Sequence, residues 1–242
     1  MEKILLAQLI AHIIADFFAQ PEWFCRKKQL NYFASWHAYV HVLIVFTLSF
    51  GMTFSGSFIW YAVVISVSHF FIDGLKYIIQ RRFESLNNYY LFVADQVLHL
   101  LVIIGVVFLF WTINPSIPAY LELVTMRQLS LLAGVLLCMK PANVLIRTCL
   151  SSLGFYDPEK GGNDLERAGR WIGTLERLIT MVLIILQQYT AIGFIIAAKS
   201  ILRYNDSKTG KTEYVLIGTL LSFGIALFLG IIIKEGFFWI PA

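Results

Sequence analysis

Charged residues are scarce in this chain, at 14% of its 242 residues, whereas soluble proteins contain roughly 25%. Hydrophobic residues make up 58% of the sequence, and the mean hydropathy is +0.72. A water-soluble core could not bury so much apolar surface, so the sequence predicts an all-α, polytopic bundle of membrane-spanning helices. The same composition excludes a disordered chain, a collagen and a coiled coil.

Cysteine is also rare, with three residues and no C-x-x-C pair. This excludes a disulfide framework and a thiolate metal site. The net charge of +4 and the pI near 8.9 do not indicate a nucleic-acid partner. In a membrane protein, basic residues mainly set the orientation and contact anionic lipid headgroups, so membrane lipid is the expected partner.

The apolar stretches predict about seven spanning helices, judged against the roughly 20 residues that cross a bilayer. They lie at Lys3 to Gln20, Ala34 to Gly51, Ser57 to Ile79, Tyr90 to Ile113, Arg127 to Leu150, Ala168 to Gln188 and Glu213 to Ile233. A shorter stretch, Ala191 to Arg203, is either a short span or a re-entrant half-helix.

The basic residues predict the orientation. One side of the predicted bundle carries Arg26, Lys27, Lys28, Arg81, Arg82, Arg147, Lys160, Arg167, Arg170, Arg203, Lys208 and Lys211. The other side carries Lys3, Arg127 and Lys234. The positive-inside rule therefore places the first side in the cytoplasm and both termini outside if the short stretch spans, or flips the C-terminus if it is re-entrant. A polar cytoplasmic loop is expected near residues 151–167.

Ionisable residues inside the first four apolar stretches form four pairs, each spaced i, i+4. The pairs are His12 and Asp16, His37 and His41, His69 and Asp73, and Asp95 and His99. This spacing places both members on one helix face, where two side chains can reach the same ion. All four pairs are expected at a similar depth near the cytoplasmic boundary, so they can meet.

Aspartates within a membrane helix are costly unless neutralised, at about 2.5 to 3.5 kcal/mol each. Carboxylates and neutral imidazoles suit one or two divalent ions, so all eight paired residues are predicted metal ligands, some of them acting through a neighbouring ligand. Zn²⁺ is the expected ion, with Mn²⁺ and Fe²⁺ as alternatives. The competing interpretation is a set of hydrogen bonds within or between helices.

The second half of the chain carries a different set of polar residues. Lys140, Arg177, Lys199 and Arg203 are predicted to bind a phosphate or another anion, or alternatively to extend toward lipid headgroups. The sequence thus divides into 1–113, a four-helix half with His/Asp pairs, and 114–242, a half with Lys, Arg and Glu.

Several motifs carry a family resemblance. They are His12-x3-Asp16, His37-x3-His41, His69-x3-Asp73-Gly74, Asp95-Gln96-x2-His99, Gly173-x2-Glu176-Arg177, Ala198-Lys199-Ser200-x2-Arg203 and Glu213-Tyr214-x2-Ile217-Gly218-Thr219-Leu220. With them the chain resembles, over nearly its whole length, a bacterial inner-membrane family catalogued as domain of unknown function thirty-three-zero-seven. That resemblance implies an integral location in the bacterial inner membrane and no assigned activity. The first four helices also show a looser likeness to membrane-bound metal-dependent hydrolases.

Three functions remain open on these observations. The first is metal-dependent hydrolysis of a lipid-like or phosphate-bearing substrate, with Asp73 and His69 as the predicted catalytic residues. The second is transport of a divalent metal or a proton-coupled solute. The third is a structural metal site in a membrane accessory protein whose partner binds the loop from Phe155 to Arg170.

Overall fold

The computed structural model of the chain describes residues 1–83, 87–154, 164–204 and 211–236. These residues form eleven α-helices and no strand, which confirms the predicted all-α class. The helices are α1 (Glu2–Ile13), α2 (Glu22–Leu30), α3 (Trp36–Thr53), α4 (Ile59–Arg82), α5 (Asn88–Ile113), α6 (Ala119–Glu122), α7 (Met126–Cys138), α8 (Lys140–Ser152), α9 (Asp164–Ile185), α10 (Tyr189–Tyr204) and α11 (Lys211–Glu235).

Five helical segments are long and apolar enough to cross a membrane, or six if the bent pair Glu2–Phe18 and Glu22–Lys28 is one span. The five are Trp36–Thr53, Gly56–Arg82, Asn88–Ile113, Met126–Ser152 and Leu216–Glu235, and only 28 to 39% of each apolar window is buried within the protein. Apolar surface that is left outside a packed core belongs in lipid, so these helices indicate an integral membrane protein.

The predicted count of about seven spans is not confirmed. Every predicted stretch is helical, but α9 carries Arg170, Glu176 and Arg177 within its apolar part. The shorter stretch forms α10, whose apolar part, Tyr189–Ile201, falls below spanning length.

The segment after the first helix differs from the loop predicted there. Beyond α1 the helix widens into a π-helical turn at Ile14–Phe18, and the chain then bends by 87° into α2. Pro21 precedes α2, Glu22 lies in its first turn, and Lys27 and Lys28 lie in its last. This order of charges complements the helix dipole, which explains why a basic segment without strong hydropathy is helical.

The chain divides into two compact units, Met1–Leu136 and Leu137–Ala242. In the first unit, α1 packs against α3 and α5, and α4 packs against the same two helices. Short connections make successive helices antiparallel, so the end of α1, the start of α3, the end of α4 and the start of α5 lie at one end of this bundle. The predicted division of the chain at residue 113 was based on the kinds of polar side chain in each half, and it stays a prediction.

The apolar core of the first unit lies toward the other end of the bundle. Ile4, Phe58, Phe110 and Leu121 are each no more than 1% exposed there. Between this core and the His/Asp pairs, Gln8 and Ser49 form a polar layer: the Gln8 amide donates to the Ser49 carbonyl oxygen at 2.9 Å, and the Ser49 hydroxyl donates to Gln8 Oε1 at 2.6 Å.

In the second unit, α9 packs against α8, α10 and α11, and α11 also packs against α8. The contact between α9 and α11 is close at Gly230, where an added Cβ would lie 2.8 Å from Ile184 Cδ1. Small residues let membrane helices approach in this way.

Candidate metal centre

Six of the eight predicted metal residues meet at one end of the first unit. Their ligand atoms form three overlapping groups, each with all atoms within 4.8 Å of one another: His12, Asp16 and His99; Asp16, His41 and His69; and His69, Asp73 and His99. The residues come from α1 and the π-helical turn that follows it, and from α3, α4 and α5; the two other predicted residues, His37 and Asp95, belong to none of the three groups. We call these six residues the His/Asp cluster.

The closest group within the cluster joins three different helices. His41 Nε2 lies 2.9 Å from His69 Nε2. Asp16 Oδ1 lies 3.2 Å from His69 Nε2 and 3.4 Å from His41 Nε2, yet it has no hydrogen-bond partner among the described residues. The three atoms therefore converge on one point and form a group that could hold a metal ion.

The second oxygen of Asp16 faces another part of the cluster. Asp16 Oδ2 lies 3.9 Å from His12 Nε2 and 3.4 Å from the amide nitrogen of Gln96. Gln96 Oε1 is in turn 3.3 Å from His12 Nε2. The carboxylate sits in the π-helical turn Ile14–Phe18, a feature that is rare in proteins and frequent at functional sites.

Two lysines border the cluster and neutralise the other carboxylates. Lys28 Nζ of α2 lies 2.7 Å from Asp73 Oδ2, and Lys76 Nζ of α4 lies 2.9 Å from Asp95 Oδ2. Asp95 is near His99, with Oδ1 at 3.8 Å from Nδ1, but belongs to none of the three groups. The sequence reading missed Lys28 as a site residue because it stands in an ordinary basic run of Arg26, Lys27 and Lys28.

Gln20 is a further site residue that sequence reasoning missed. It is buried, and its amide nitrogen lies 2.6 Å from His41 Nε2 and 2.7 Å from His41 Nδ1, while its Oε1 accepts a hydrogen bond from the Cys25 thiol at 3.3 Å. No motif singles it out, since it falls just before the bend that leads into α2. The sequence feature that could have identified Gln20 is its spacing of four residues from Asp16.

His37 is not brought into the His/Asp cluster. Its ring is surrounded by aromatic side chains, with ring centroids 5.0 Å away for Phe24, 6.1 Å for Trp23 and 4.2 Å for Trp36. The Ser35 hydroxyl lies 3.2 Å from its Nδ1. The i, i+4 spacing shared with His41 thus does not decide whether a side chain reaches the cluster.

Two aromatic rings approach α4 closely at Gly74. An added Cβ at this position would lie 3.0 Å from Phe33 Cζ and 3.2 Å from Tyr32 Cε1. Burial raises the pKa of the Tyr32 phenol, so its hydroxyl stays protonated and donates to the Phe70 carbonyl oxygen at 2.9 Å. These rings fix the connection between α2 and α3 against α4.

The predicted anion-binding residues lie in the second unit and have varied surroundings. Lys140 is exposed at the start of α8, and Lys199 forms an ion pair with Glu176. Arg203 ends near the limit of α10, and its side chain lies outside what the structure describes. Their role in anion binding stays a prediction.

Arg177 is deeply buried, at 2% exposure. Its guanidinium donates to the Cys138 carbonyl oxygen at 2.8 Å, to Ser222 Oγ at 2.9 Å and to Asn143 Oδ1 at 2.6 Å. These acceptors are neutral and come from helices α7, α11 and α8. The arrangement ties the helices of the second unit together.

Comparison with known proteins identifies one family. A family model described as Protein of unknown function (DUF3307) matches residues 4–127. No curated protein and no solved structure matches the chain. The matched region contains all eight predicted metal residues, and the motifs quoted from Gly173 onward lie outside it. The looser likeness to membrane-bound metal-dependent hydrolases finds no support in these comparisons.

Proposed function

The chain belongs to the DUF3307 family, and we propose that it binds a divalent metal ion in the His/Asp cluster and uses the ion to hydrolyse a lipid-like or phosphate-bearing substrate. The proposed site lies near the cytoplasmic face of a bacterial inner membrane. Substrate would reach it from the adjacent lipid leaflet.

The observation that carries the proposal is the triangle formed by Asp16 Oδ1, His41 Nε2 and His69 Nε2. Its edges measure 2.9, 3.2 and 3.4 Å. Ligands bound 2.0 to 2.1 Å from a zinc ion stand about 3.4 Å apart at the corners of a tetrahedron. The side chains therefore already have a spacing close to that of three zinc ligands.

The number of ligands favours catalysis over a purely structural site. Structural zinc sites are closed by four protein ligands, whereas catalytic sites use three and leave one position for water. Asp73 Oδ2 is near enough to be a fourth ligand, at 3.6 Å from His69 Nε2, but it is paired with Lys28. The lysine thus keeps the fourth position open for water.

Imidazole nitrogen with a single carboxylate suits Zn²⁺ best among common divalent ions, with Mn²⁺ and Fe²⁺ as alternatives. A bound divalent ion lowers the pKa of water and polarises a phosphoryl or carbonyl oxygen. In this scheme Asp16, His41 and His69 hold the ion, and Asp73 accepts the proton that the attacking water loses. Lys28 and Lys76 supply positive charge for an anionic headgroup. His69 is thereby proposed as a ligand rather than as a proton carrier.

Metal content and hydrolysis of the purified chain test this proposal together. Protein prepared without chelator is expected to contain metal by elemental analysis, and His41→Ala is expected to lose most of it. His37→Ala is the matched control, because it removes a buried histidine of the same helix that lies outside the cluster, and it should keep the metal. Absence of metal from the native protein would contradict the proposal.

Measurement of phosphate release from lipid phosphates then distinguishes the metal ligands from the proposed general base, Asp73. Asp73→Asn is expected to retain metal but lower turnover by about 100-fold or more, the typical contribution of a general base. A native protein that holds metal yet releases no phosphate from any lipid phosphate tested would argue against hydrolysis and for a structural site.

A second candidate function is transport of a divalent ion, and one feature favours it. A small cavity lined by His12, His69 and His99 also contacts Gln8 and Ser49, with apolar side chains forming the rest of its wall. A polar layer beyond a metal site is the arrangement expected along an ion pathway. Uptake of labelled Zn²⁺ into vesicles that contain the native protein, lost in His41→Ala and kept in His37→Ala, would support this function.

A further inference from the structure

We infer that the His/Asp cluster holds two metal ions, with the Asp16 carboxylate bridging them. The first ion takes Asp16 Oδ1, His41 and His69. The second takes Asp16 Oδ2, His12 and His99. This inference rests on the metal binding proposed above and extends it to the number of ions and to their separate ligands.

The two oxygens of Asp16 face different imidazoles, as a bridge requires. Oδ1 lies 3.2 and 3.4 Å from the Nε2 atoms of His69 and His41. Oδ2 lies 3.9 Å from His12 Nε2, on the same helix. A carboxylate whose two oxygens bind two ions holds them about 3.5 to 4 Å apart, as in two-metal phosphatases and nucleases.

His99 supplies an independent sign that a second ion is needed. It is only 3% exposed, yet neither ring nitrogen has a hydrogen-bond partner among the described residues. Its ring centroid lies 5.2 Å from that of His12 and 4.0 Å from that of His69. Buried polar atoms rarely remain unsatisfied, and the first ion cannot satisfy this ring because its three ligands are other residues.

The overlap among the three ligand groups selects this pair of sites. Every two groups share one residue: the first and second share Asp16, whereas the third shares His99 with the first and His69 with the second. A neutral imidazole has one free lone pair and serves one ion, but a carboxylate has two oxygens and can serve two. Only the first and second groups can therefore be filled together.

Asp73 also argues against filling the third group. Its Oδ2 already lies 2.7 Å from the Lys28 ammonium, so a cation placed there would stand beside a positive charge. Asp16 has no lysine within ion-pair distance among the described residues, and its ion-pair contacts are histidines only. The carboxylate available to two cations is the one without a cationic partner.

The π-helical turn explains how α1 provides both oxygens. The Ala19 amide donates to the Ile14 carbonyl oxygen at 2.8 Å, an i to i+5 bond that widens the helix around Asp16. The carboxylate can then lie between α3 and α4 on one side and His12 on the other. Gln96, whose amide nitrogen is 3.4 Å from Asp16 Oδ2, holds this second oxygen in place.

The test uses the full-length chain in detergent, freed of metal and reloaded with Mn²⁺ alone. The expected result is two Mn²⁺ per chain, with an electron paramagnetic resonance spectrum that shows spin coupling between two nearby ions. His12→Ala and His99→Ala, made separately, should each bind about one ion per chain and lose the coupling. His37→Ala should keep both.

The outcomes distinguish this inference from the proposal on which it rests. One uncoupled ion per native chain, lost in His41→Ala but unchanged in His12→Ala and His99→Ala, would overturn the two-metal centre and leave metal binding intact. No bound Mn²⁺ or Zn²⁺ in the native chain would overturn both. Asp16→Asn provides a second measurement, because loss of the bridge should remove the coupling even in a variant that still binds an ion.

Discussion

At the scale of single residues, the charge of the nearest partner distinguishes the carboxylates of the cluster. Asp73 is neutralised by Lys28 at 2.7 Å, and Asp95 by Lys76 at 2.9 Å. Asp16 faces imidazoles, which are neutral unless protonated. A carboxylate buried in a membrane helix needs a compensating positive charge. The lysines satisfy two of the three aspartates, and the proposed metal ion would satisfy the third.

Lys28 should therefore contribute most to the stability of the protein when no metal is bound. Lys28→Met leaves Asp73 without its cation, and breaking a buried ion pair in this way typically costs about 3 to 5 kcal/mol. A metal ion nearby would replace the lost charge. We expect the thermal midpoint in the presence of a chelator to fall sharply, and added Zn²⁺ to raise it more in Lys28→Met than in the native protein.

The neighbouring lysine provides the control for this experiment. Lys27 is exposed on the same helix, so Lys27→Met should leave both midpoints close to the native values. Equal behaviour of the two variants, measured by thermal unfolding in the same detergent, would contradict the role given to the Lys28 and Asp73 pair.

At the scale of helices, the sequence predicted the convergence of the cluster because helical periodicity is strict. His12 on α1 and Asp16 on the π-helical turn that continues it lie about one turn apart, and His69 and Asp73 share one face of α4. Charges in mid-helix almost always face the protein interior, which is why the pairs were predicted to meet. Depth and periodicity together predicted eight positions, and six of these form the His/Asp cluster.

The remaining site features depend on elements that hydropathy does not reveal. The segment Glu22–Leu30 has too many charges to resemble a span, yet as helix α2 it places Lys28 at Asp73 and Trp23 and Phe24 around His37. The π-helical turn at Asp16 arises from packing, since its composition is ordinary. Because hydropathy does not reveal α2, the aromatic surroundings of His37 could not be predicted, and its spacing from His41 alone indicated a ligand.

The number of spans was harder to predict for a related reason. Apolar length counts toward a span whether a helix faces lipid or protein. Helix α9 carries Arg177, which is satisfied by neutral groups of α7, α8 and α11. A charge of this kind lowers the hydropathy of a helix without showing where the helix lies.

The close contact between α9 and α11 leads to a prediction at this scale. Gly230→Ala would place a Cβ 2.8 and 2.9 Å from Ile184 Cδ1 and Cβ, and Ile184 is 1% exposed, so it has little room to move. Overpacking of this kind costs about 1 to 3 kcal/mol. We expect a lower thermal midpoint for the purified variant.

Gly224 of the same helix is the matched control, because no atom lies within 4 Å of an added Cβ there. Gly224→Ala should gain the helix propensity of alanine, up to about 1 kcal/mol, without the steric penalty. If both variants shift the midpoint in the same direction and by the same amount, the packing at Gly230 does not limit stability.

At the scale of the whole molecule, the placement of basic residues connects the fold to the membrane. In the first unit, Arg26, Lys27, Lys28, Arg81 and Arg82 lie at the end of the bundle that holds the His/Asp cluster. The other end carries Lys3 and Arg127. The basic bias therefore predicts that the cluster is close to the cytoplasmic face.

This orientation can be tested by cysteine labelling in intact cells. The native cysteines are Cys25, Cys138 and Cys149, and each is first replaced by serine. Arg82→Cys, at the exposed end of α4, is expected to react with a membrane-impermeant maleimide only after the cells are permeabilised. Glu122→Cys, exposed in the connection between α5 and α7, should react in intact cells, because an odd number of crossings separates the two positions.

The opposite pattern would place the cluster at the outer face of the membrane, where a metal ion and a lipid headgroup would have to arrive from outside the cell. Since the bundle contacts do not depend on orientation, that result would leave the His/Asp cluster unchanged and alter only the proposed source of substrate.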